Sequence, residues 1–340
     1  MRVAGLATAT PAELQPAIEV SALTRRFKAF TAVDNISFAV NAHEVFGFLG
    51  PNGAGKTTTV RVLCTLIRPS AGAARVAGFD VVRQHNDVRR SIGIIFQDPS
   101  LDDRLTAQEN LRFHAMIYRV PRAEVNSRIA QALDWMELTD RASELVRNFS
   151  GGMKRRLEIA RGLLHAPKVL FLDEPTLGLD PQTRSRIWER LLALRREHGM
   201  TLFLTTHYMD EAENCDRIAI IDHGRIIALD TPARLKAQVQ GDLVRLETAD
   251  DAAAEAEVKQ RYGVEVVRDA GGLRFEVENG AAFVPGLLRE LSVAVRTVSV
   301  RPPTLEDVFL KMTGREIRDD EASNHEKLKG RLRRMGRAWR

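Results

Sequence analysis

The chain has 340 residues, enough for two domains with a sizeable core. Hydrophobic residues make up 44% and charged residues 28%, which excludes a disordered or low-complexity chain. A net charge of +5 is mild for this length, so no nucleic acid is expected as a partner.

The two cysteines, Cys64 and Cys215, belong to no CxxC or Cys/His cluster. No zinc site is expected, and both are read as buried or half-buried thiols of a reducing cytoplasm. Apolar runs such as Ile218–Ile221 are strand-length, far from the roughly 20 residues a membrane-crossing helix needs. No secretory pattern opens the sequence. Any membrane work is expected to go through a partner.

In chain order, residues 1–17 are rich in Ala, Thr and Pro and are expected to be a loose arm. Strand, turn and strand follow from Ile18, with Ile36–Val40 as the second strand. Val45–Leu49 is a continuous apolar run ending at a glycine, as in a buried strand of a parallel sheet. A helix over Thr57–Leu66 precedes strands at Ala73–Val76 and Ile92–Phe96. Leu105 to Leu164 reads as helical, with Thr106 as N-cap and Glu109 at capping-box spacing.

Val169–Leu172 is the next strand, and Pro181 opens a helix to His198. Thr201–Thr205 and Arg217–Asp222 are strands, and His223-Gly224 turns the chain into Ile226–Leu229. Alternating strands and helices predict an α/β sheet with a helical insertion over about 98–165. Past residue 240 the character changes. Strands at Leu243–Thr248, Val264–Arg268, Leu273–Val277 and Val293–Val300, with helices near Ala252–Tyr262 and Phe283–Leu291, predict a small α+β domain over 241–315. A charged tail occupies 316–340. One phosphate-loop motif and no internal repeat mean a single nucleotide-binding unit, spanning 18–240.

That motif is Gly50-Pro51-Asn52-Gly53-Ala54-Gly55-Lys56-Thr57, a full match to GxxxxGK followed by Ser or Thr, with Thr58 next in line. It follows a strand and opens a helix, where glycines let successive backbone N–H groups turn onto phosphate oxygens. Lys56 is expected to reach the β- and γ-phosphates of ATP, and the Thr57 hydroxyl to ligate Mg2+. A second strand delivers Asp173-Glu174. Asp173 can hold the Mg2+ shell through water, and Glu174 can orient the attacking water.

With these anchors in place, Asn148-Phe149-Ser150-Gly151-Gly152-Met153-Lys154-Arg155-Arg156 resembles the signature of the ATP-binding-cassette family, usually LSGGQ. The resemblance covers Ile18 to about Leu235. It implies a RecA-like P-loop NTPase fold with a helical subdomain, and a site completed across a head-to-tail homodimer of cassettes. There Ser150, Gly151 and Gly152 of one chain face the γ-phosphate held by the other. Gln97, at the end of the Ile92–Phe96 strand, is similar to the family glutamine that touches Mg2+ and the membrane partner. Leu177-Gly178-Leu179-Asp180 resembles the loop that crosses the dimer interface. His207 resembles the switch histidine at the γ-phosphate, and Phe27, with Phe30 as fallback, the aromatic that stacks on adenine. The sequence departs from the family at Met153, where glutamine is usual; methionine offers no amide donor, so retuned hydrolysis is expected.

Pro303-Thr304-Leu305-Glu306-Asp307-Val308-Phe309-Leu310, then Thr313-Gly314-Arg315-Glu316, is similar to the C-terminal motif of daunorubicin-resistance exporter ATPases. That branch implies a separate ABC-2 type multi-pass permease as partner and a location at the cytoplasmic face of the membrane. It also implies export of a drug-like, lipid or polysaccharide substrate. A soluble ATPase acting on DNA or ribosomes is the alternative. Leu305, Val308, Phe309 and Met312 form one apolar helical face, which either closes the small domain or communicates between two cassettes. The basic tail from Lys327 to Arg340 is either solvated or in contact with anionic lipid.

Overall fold

A computed structural model describes residues 16–98, 100–239, 241–269 and 271–314. Residues 1–15, Arg315, Glu316 and the basic tail lie outside the described residues.

The first unit ends at Leu229. It opens with β1 (Ile18–Phe27) and β2 (Phe30–Val40), an antiparallel pair whose turn brings Phe27 opposite Phe30. The buried strand β3 (Val45–Leu49) leads into α1 (Lys56–Leu63), shorter than the expected Thr57–Leu66. β4 (Ala71–Val76) and β5 (Phe79–Asp80) add to β1, giving a four-stranded sheet in the order β2-β1-β4-β5.

α2 (His85–Ser91) then leads into β6 (Ile92–Ile95). The helical insertion consists of α3 (Ala107–Ile117), α4 (Arg122–Trp135) and α5 (Gly151–Leu163), with two short 3-10 turns before α5. The capping box of α3 forms as expected: Thr106 Oγ1 accepts from Glu109 N at 3.2 Å, and Glu109 Oε2 accepts from Thr106 N at 2.8 Å. β7 (Val169–Asp173), α6 (Pro181–His198), β8 (Thr201–Thr206), α7 (Met209–Ala212), β9 (Arg217–Asp222) and β10 (Arg225–Asp230) complete the alternation.

The six-stranded sheet runs β10-β9-β3-β8-β7-β6, and β9, β3, β8, β7 and β6 pair in parallel. Helices and the second sheet cover it, which explains why β3, β7 and β8 are buried throughout and read as unbroken apolar runs. One core joins β1, β2, β3 and α1, centred on stacked rings: Phe38, Phe46 and Phe203 have centroids 5.6, 5.7 and 6.1 Å apart. In this unit three elements went unpredicted: β5, α2 and α7. α2 buries only Val88, so it carries no helical stripe for a sequence reading to find.

The second unit, Asp230–Arg318, starts before residue 240, where the composition changes. The reason is α8 (Pro232–Ala237), whose Leu235 is buried and which packs on the last helix of the same unit. Then come β11 (Asp242–Thr248), α9 (Asp251–Tyr262), β12 (Val266–Asp269), β13 (Gly272–Val277), α10 (Gly280–Glu290), β14 (Val295–Arg301) and α11 (Leu305–Thr313). The antiparallel sheet has the order β12-β13-β11-β14, and its core takes Val244, Leu246, Leu273 and Phe275 from strands with Val258 and Leu287 from the helices.

In α11, Leu305, Val308 and Phe309 are buried as expected, but Met312 is 37% exposed. The apolar face therefore ends one turn before the helix does. Gly314 stops α11 in the left-handed conformation that glycine accepts most readily.

Candidate nucleotide-binding site

Parallel pairing brings the separate motifs to one edge. Leu49 pairs with Thr206, Asp173 with Thr205, and Ile95 with Leu172. The loop after β3, the end of β7, the residue after β8 and the segment after β6 therefore leave the sheet on the same side. That carboxyl edge is where open α/β sheets bind ligands.

The loop after β3 has the shape of a phosphate cradle. Gly55 sits at φ 108, with its missing Cβ 2.5 Å from Ala32 O, so no other residue fits there without strain. A Cβ on Gly50 would meet Ile221 O at 2.3 Å. Gly55 gives α1 no side-chain cap, which leaves the first N–H groups of that helix open to an anion. Ala54 is buried, Asn52 and Gly53 are exposed, and Pro51, Thr57 and Thr58 are half-buried.

Lys56 extends back over the loop. Its Nζ donates to Gly50 O at 2.7 Å and Pro51 O at 3.3 Å, and lies 3.3 Å from Glu174 Oε1. Burial lowers the pKa of its ammonium, which Glu174 and Asp173 partly offset. Asp173 Oδ1 accepts from Thr57 Oγ1 at 3.2 Å and from Thr205 Oγ1 at 2.5 Å. One hydroxyl and one carboxylate held this close are the hard oxygen donors that Mg2+ takes beside substrate phosphates. The donor set fits the ion, and when bound the ion would neutralise charge on the phosphate oxygens.

Glu174 lies at φ 47, in the left-handed region, anchored by its N–H at 3.1 Å from Thr205 O. Its Oε1 is 3.3 Å from both Lys56 Nζ and His207 Nδ1. Burial alone would raise its carboxyl; His207 and Lys56 outweigh that and hold it below its ordinary 4.5. Glu174 is therefore ionised at neutral pH. His207 follows β8 directly and is buried.

The remaining expected residues fall outside this cluster. Gln97 is exposed, two residues past β6 on the same edge. Ser150 caps α5, its Oγ accepting from Met153 N at 3.2 Å. Gly151 and Gly152 form the first turn of that helix. The cap uses the backbone of Met153, so the side-chain change there leaves it intact. Asp180 caps α6, accepting from Thr183 N at 3.0 Å and Thr183 Oγ1 at 2.6 Å, a complete local role in the single chain. Phe27 and Phe30 are both exposed at the β1–β2 turn, Phe30 on the strand whose Ala32 abuts Gly55. The Arg25 guanidinium covers one Phe27 face at 4.4 Å from the ring centroid.

Two buried residues escaped the sequence reading. Glu211 accepts a hydrogen bond from the Thr176 hydroxyl, and burial raises its carboxyl. Arg155 reaches from α5 to the carbonyls of Asp173 at 3.2 Å and Glu174 at 3.0 Å. In sequence Arg155 is one of three consecutive basic residues on a polar helix start, so nothing marks it as buried.

Known proteins match this arrangement over nearly the whole chain. A family model described as ABC transporter matches residues 33–177, and one described as the ATP-binding protein DrrA1-3-like C-terminal domain matches 231–313. The daunorubicin/doxorubicin resistance ATP-binding protein DrrA of Streptomyces peucetius is 40% identical over 323 residues, spanning 92% of this chain and 98% of the relative. The Nod factor export ATP-binding protein I of Ralstonia nicotianae is 40% identical over 319 residues, 89% of this chain and 96% of the relative. A solved dimeric ATP-binding cassette, in a post-hydrolysis state bound to ADP and Pi, superimposes with TM-score 0.58 at 27% identity, covering 63% of this chain and 98% of that one. The chain belongs to the ABC transporter family, as an ATP-binding, ATP-hydrolysing subunit with a DrrA-like C-terminal domain.

Proposed function

We propose that this subunit drives export through a separate ABC-2 type permease at the cytoplasmic face of the membrane, and that it works as a homodimer. The observation that carries the catalytic reading is the cluster of Lys56, Glu174 and His207 within 3.3 Å contacts at the mouth of the glycine loop. Lys56 and the α1 N-terminus bind the phosphates of ATP. Thr57 and Asp173 hold Mg2+, with Gln97 on the same edge. Glu174 orients water for in-line attack on the γ-phosphate, and His207 contacts that phosphate. Phe27 offers its free face to adenine. Positioning and charge stabilisation supply the rate, with no covalent intermediate on the protein.

Ser150, Gly151, Gly152 and Asp180 are assigned to the nucleotide held by the second copy. The dimeric state of a solved cassette of similar fold supports that assignment. The export reading draws on relatives whose names state drug resistance or Nod factor export. It draws also on α3, where Phe113, Met116 and Ile117 are 59%, 67% and 59% exposed. Beside them a groove of about 430 Å3, directly before Gln97, is lined by Phe96, Ile117 and Tyr118 together with Arg89, Arg90 and Arg119. The apolar patch on α3 suits a cytoplasmic segment of the permease. Among the described residues no helix is long and apolar enough to cross a membrane.

Glu174→Gln tests both levels. The variant should bind ATP, hold the dimer closed and lose turnover by roughly 10²–10⁴-fold. Captured from gently solubilised native membranes with ATP present, it should bring down a multi-pass membrane protein at equal stoichiometry. Ribosomes or DNA in place of a permease would overturn the export reading and leave the ATPase assignment standing.

A further inference from the structure

A guanidinium carries five N–H donors in a fixed planar fork. In Arg155, which is only 6% exposed, every one of them has a partner. Nε donates to Pro175 O at 2.6 Å. Nη1 donates to Phe96 O at 2.5 Å and to Glu158 Oε2 at 3.1 Å. Nη2 donates to Asp173 O at 3.2 Å and to Glu174 O at 3.0 Å. Three successive carbonyls converge on one side chain because Glu174 turns the backbone through φ 47. A non-glycine residue keeps such a conformation only when its surroundings hold it there. Arg155 does so through the carbonyls, as Thr205 does through the Glu174 N–H.

The same helix grips the segment that carries Gln97 at two points. Phe96, immediately before it, is held by Arg155. Ser100, beyond it, donates its N–H to Glu158 Oε1 at 2.8 Å. Its carbonyl and hydroxyl accept from Arg161 Nη1 at 2.8 Å and Nη2 at 2.7 Å. Glu158 has no exposed surface, and its two carboxylate oxygens are divided between Arg155 and Ser100.

We propose that Arg155 is a positioning residue for hydrolysis, which sets the backbone of Glu174 and, with Glu158, ties the Gln97 segment and the Ser150 helix to it as one body. This rests on the reading of Glu174 as the residue that orients water. A displacement of the Gln97 segment by the membrane partner is then felt at Glu174 through a single side chain. A buried pair that served packing alone would need neither three carbonyl contacts on the Glu174 turn nor one on Phe96, the residue before Gln97.

The test uses the full chain with MgATP. Arg155→Gln combined with Glu158→Gln removes the closest buried pair together, and Arg161, 3.7 Å from Glu158 Oε1, keeps its bonds to Ser100. This double variant should keep its thermal midpoint within a few degrees and its ATP Kd within about threefold, while kcat falls roughly 10- to 100-fold, as expected for a catalytic group displaced by about 1 Å. Arg155→Lys, with three donors in place of five, should recover part of that loss, whereas Arg155→Met should not. A folded double variant with wild-type kcat overturns the proposal. So does a loss of kcat that only follows a lower thermal midpoint or a weaker Kd. If the double variant does not fold, the comparison of Arg155→Lys with wild type decides by the same outcomes. Glu174→Gln is run alongside: if it hydrolyses ATP normally, the reading of Glu174 has failed. If it is inactive while the Arg155 variants are normal, only this proposal falls.

Discussion

In the unit that carries the phosphate loop, Lys56, Arg155, Glu158, Asp173, Glu174 and Glu211 all lie below the surface. In Asp230–Arg318 the interior is Val244, Leu246, Leu273, Phe275 and their apolar neighbours, and among the described residues Asp307 is the buried charge. Its ion pairs Lys259–Glu255 at 2.7 Å and Lys311–Glu276 at 3.1 Å lie nearer the surface. Both units fold around apolar cores, so charge burial is no requirement of folding. Burying a charge is costly unless it is paired, and the first unit carries that cost where phosphate must be held and water directed.

The comparison can be broken by substitution. Phe309→Ala should cost about 3–5 kcal/mol of stability, because the ring is buried on α11 and its loss leaves a cavity. Thermal unfolding of the full chain reads this as a lower transition. Wild-type stability would show that the apolar interior of the second unit does not depend on this ring. In the charged site the effect should appear in binding. Lys56→Met should weaken ATP binding by about 2–5 kcal/mol, the range for truncating one partner of a buried charge pair, without lowering the thermal midpoint of the empty protein to match. Calorimetry with ATP checks it; unchanged affinity would remove Lys56 from the phosphate site.

Asp307 sharpens the contrast from the other side. It accepts from Arg301 Nη1 at 2.6 Å and Nη2 at 3.0 Å, and from Thr304 N at 2.8 Å. Burial alone would raise its carboxyl; Arg301 and Thr304 outweigh that and hold it below its ordinary 3.8. A depressed carboxyl contributes stability above the unfolded pKa and loses it as pH falls through the folded one. Acid unfolding of the second unit should therefore include a step below pH 3.8, absent in Asp307→Asn. The same variant should lose about 1–2 kcal/mol at neutral pH through its weakened cap. The smallest effect is expected at Met153→Gln. It should change kcat severalfold at most and leave thermal stability alone, because Ser150 is bonded to the backbone of residue 153. Identical kcat in the two proteins would mean that the glutamine amide has no part in this site.

Much of the site was legible in the sequence because its parts are local. A glycine loop needs only consecutive residues, a preceding strand and a following helix, and Gly50 to Thr57 supplies all three. The Thr106 cap is local for the same reason. Boundaries were less legible: α8 belongs to the second unit through its packing on α11, which no change of composition records. The place of Met312 at the edge of the buried face was equally hidden in a regular apolar spacing.

By itself, then, the sequence determined the fold class, the phosphate loop, the carboxylates at the end of β7 and the order of the motifs, since each follows from spacing along a strand or a helix turn. Only the tertiary structure decided that Arg155 is buried, that it bonds Phe96 across 59 residues of chain, and that Glu174, Lys56 and His207 share one contact. Those facts depend on which strands pair and how α5 lies against their ends. Long-range packing sets both, and three basic residues in a row look alike until the sheet edge selects one of them.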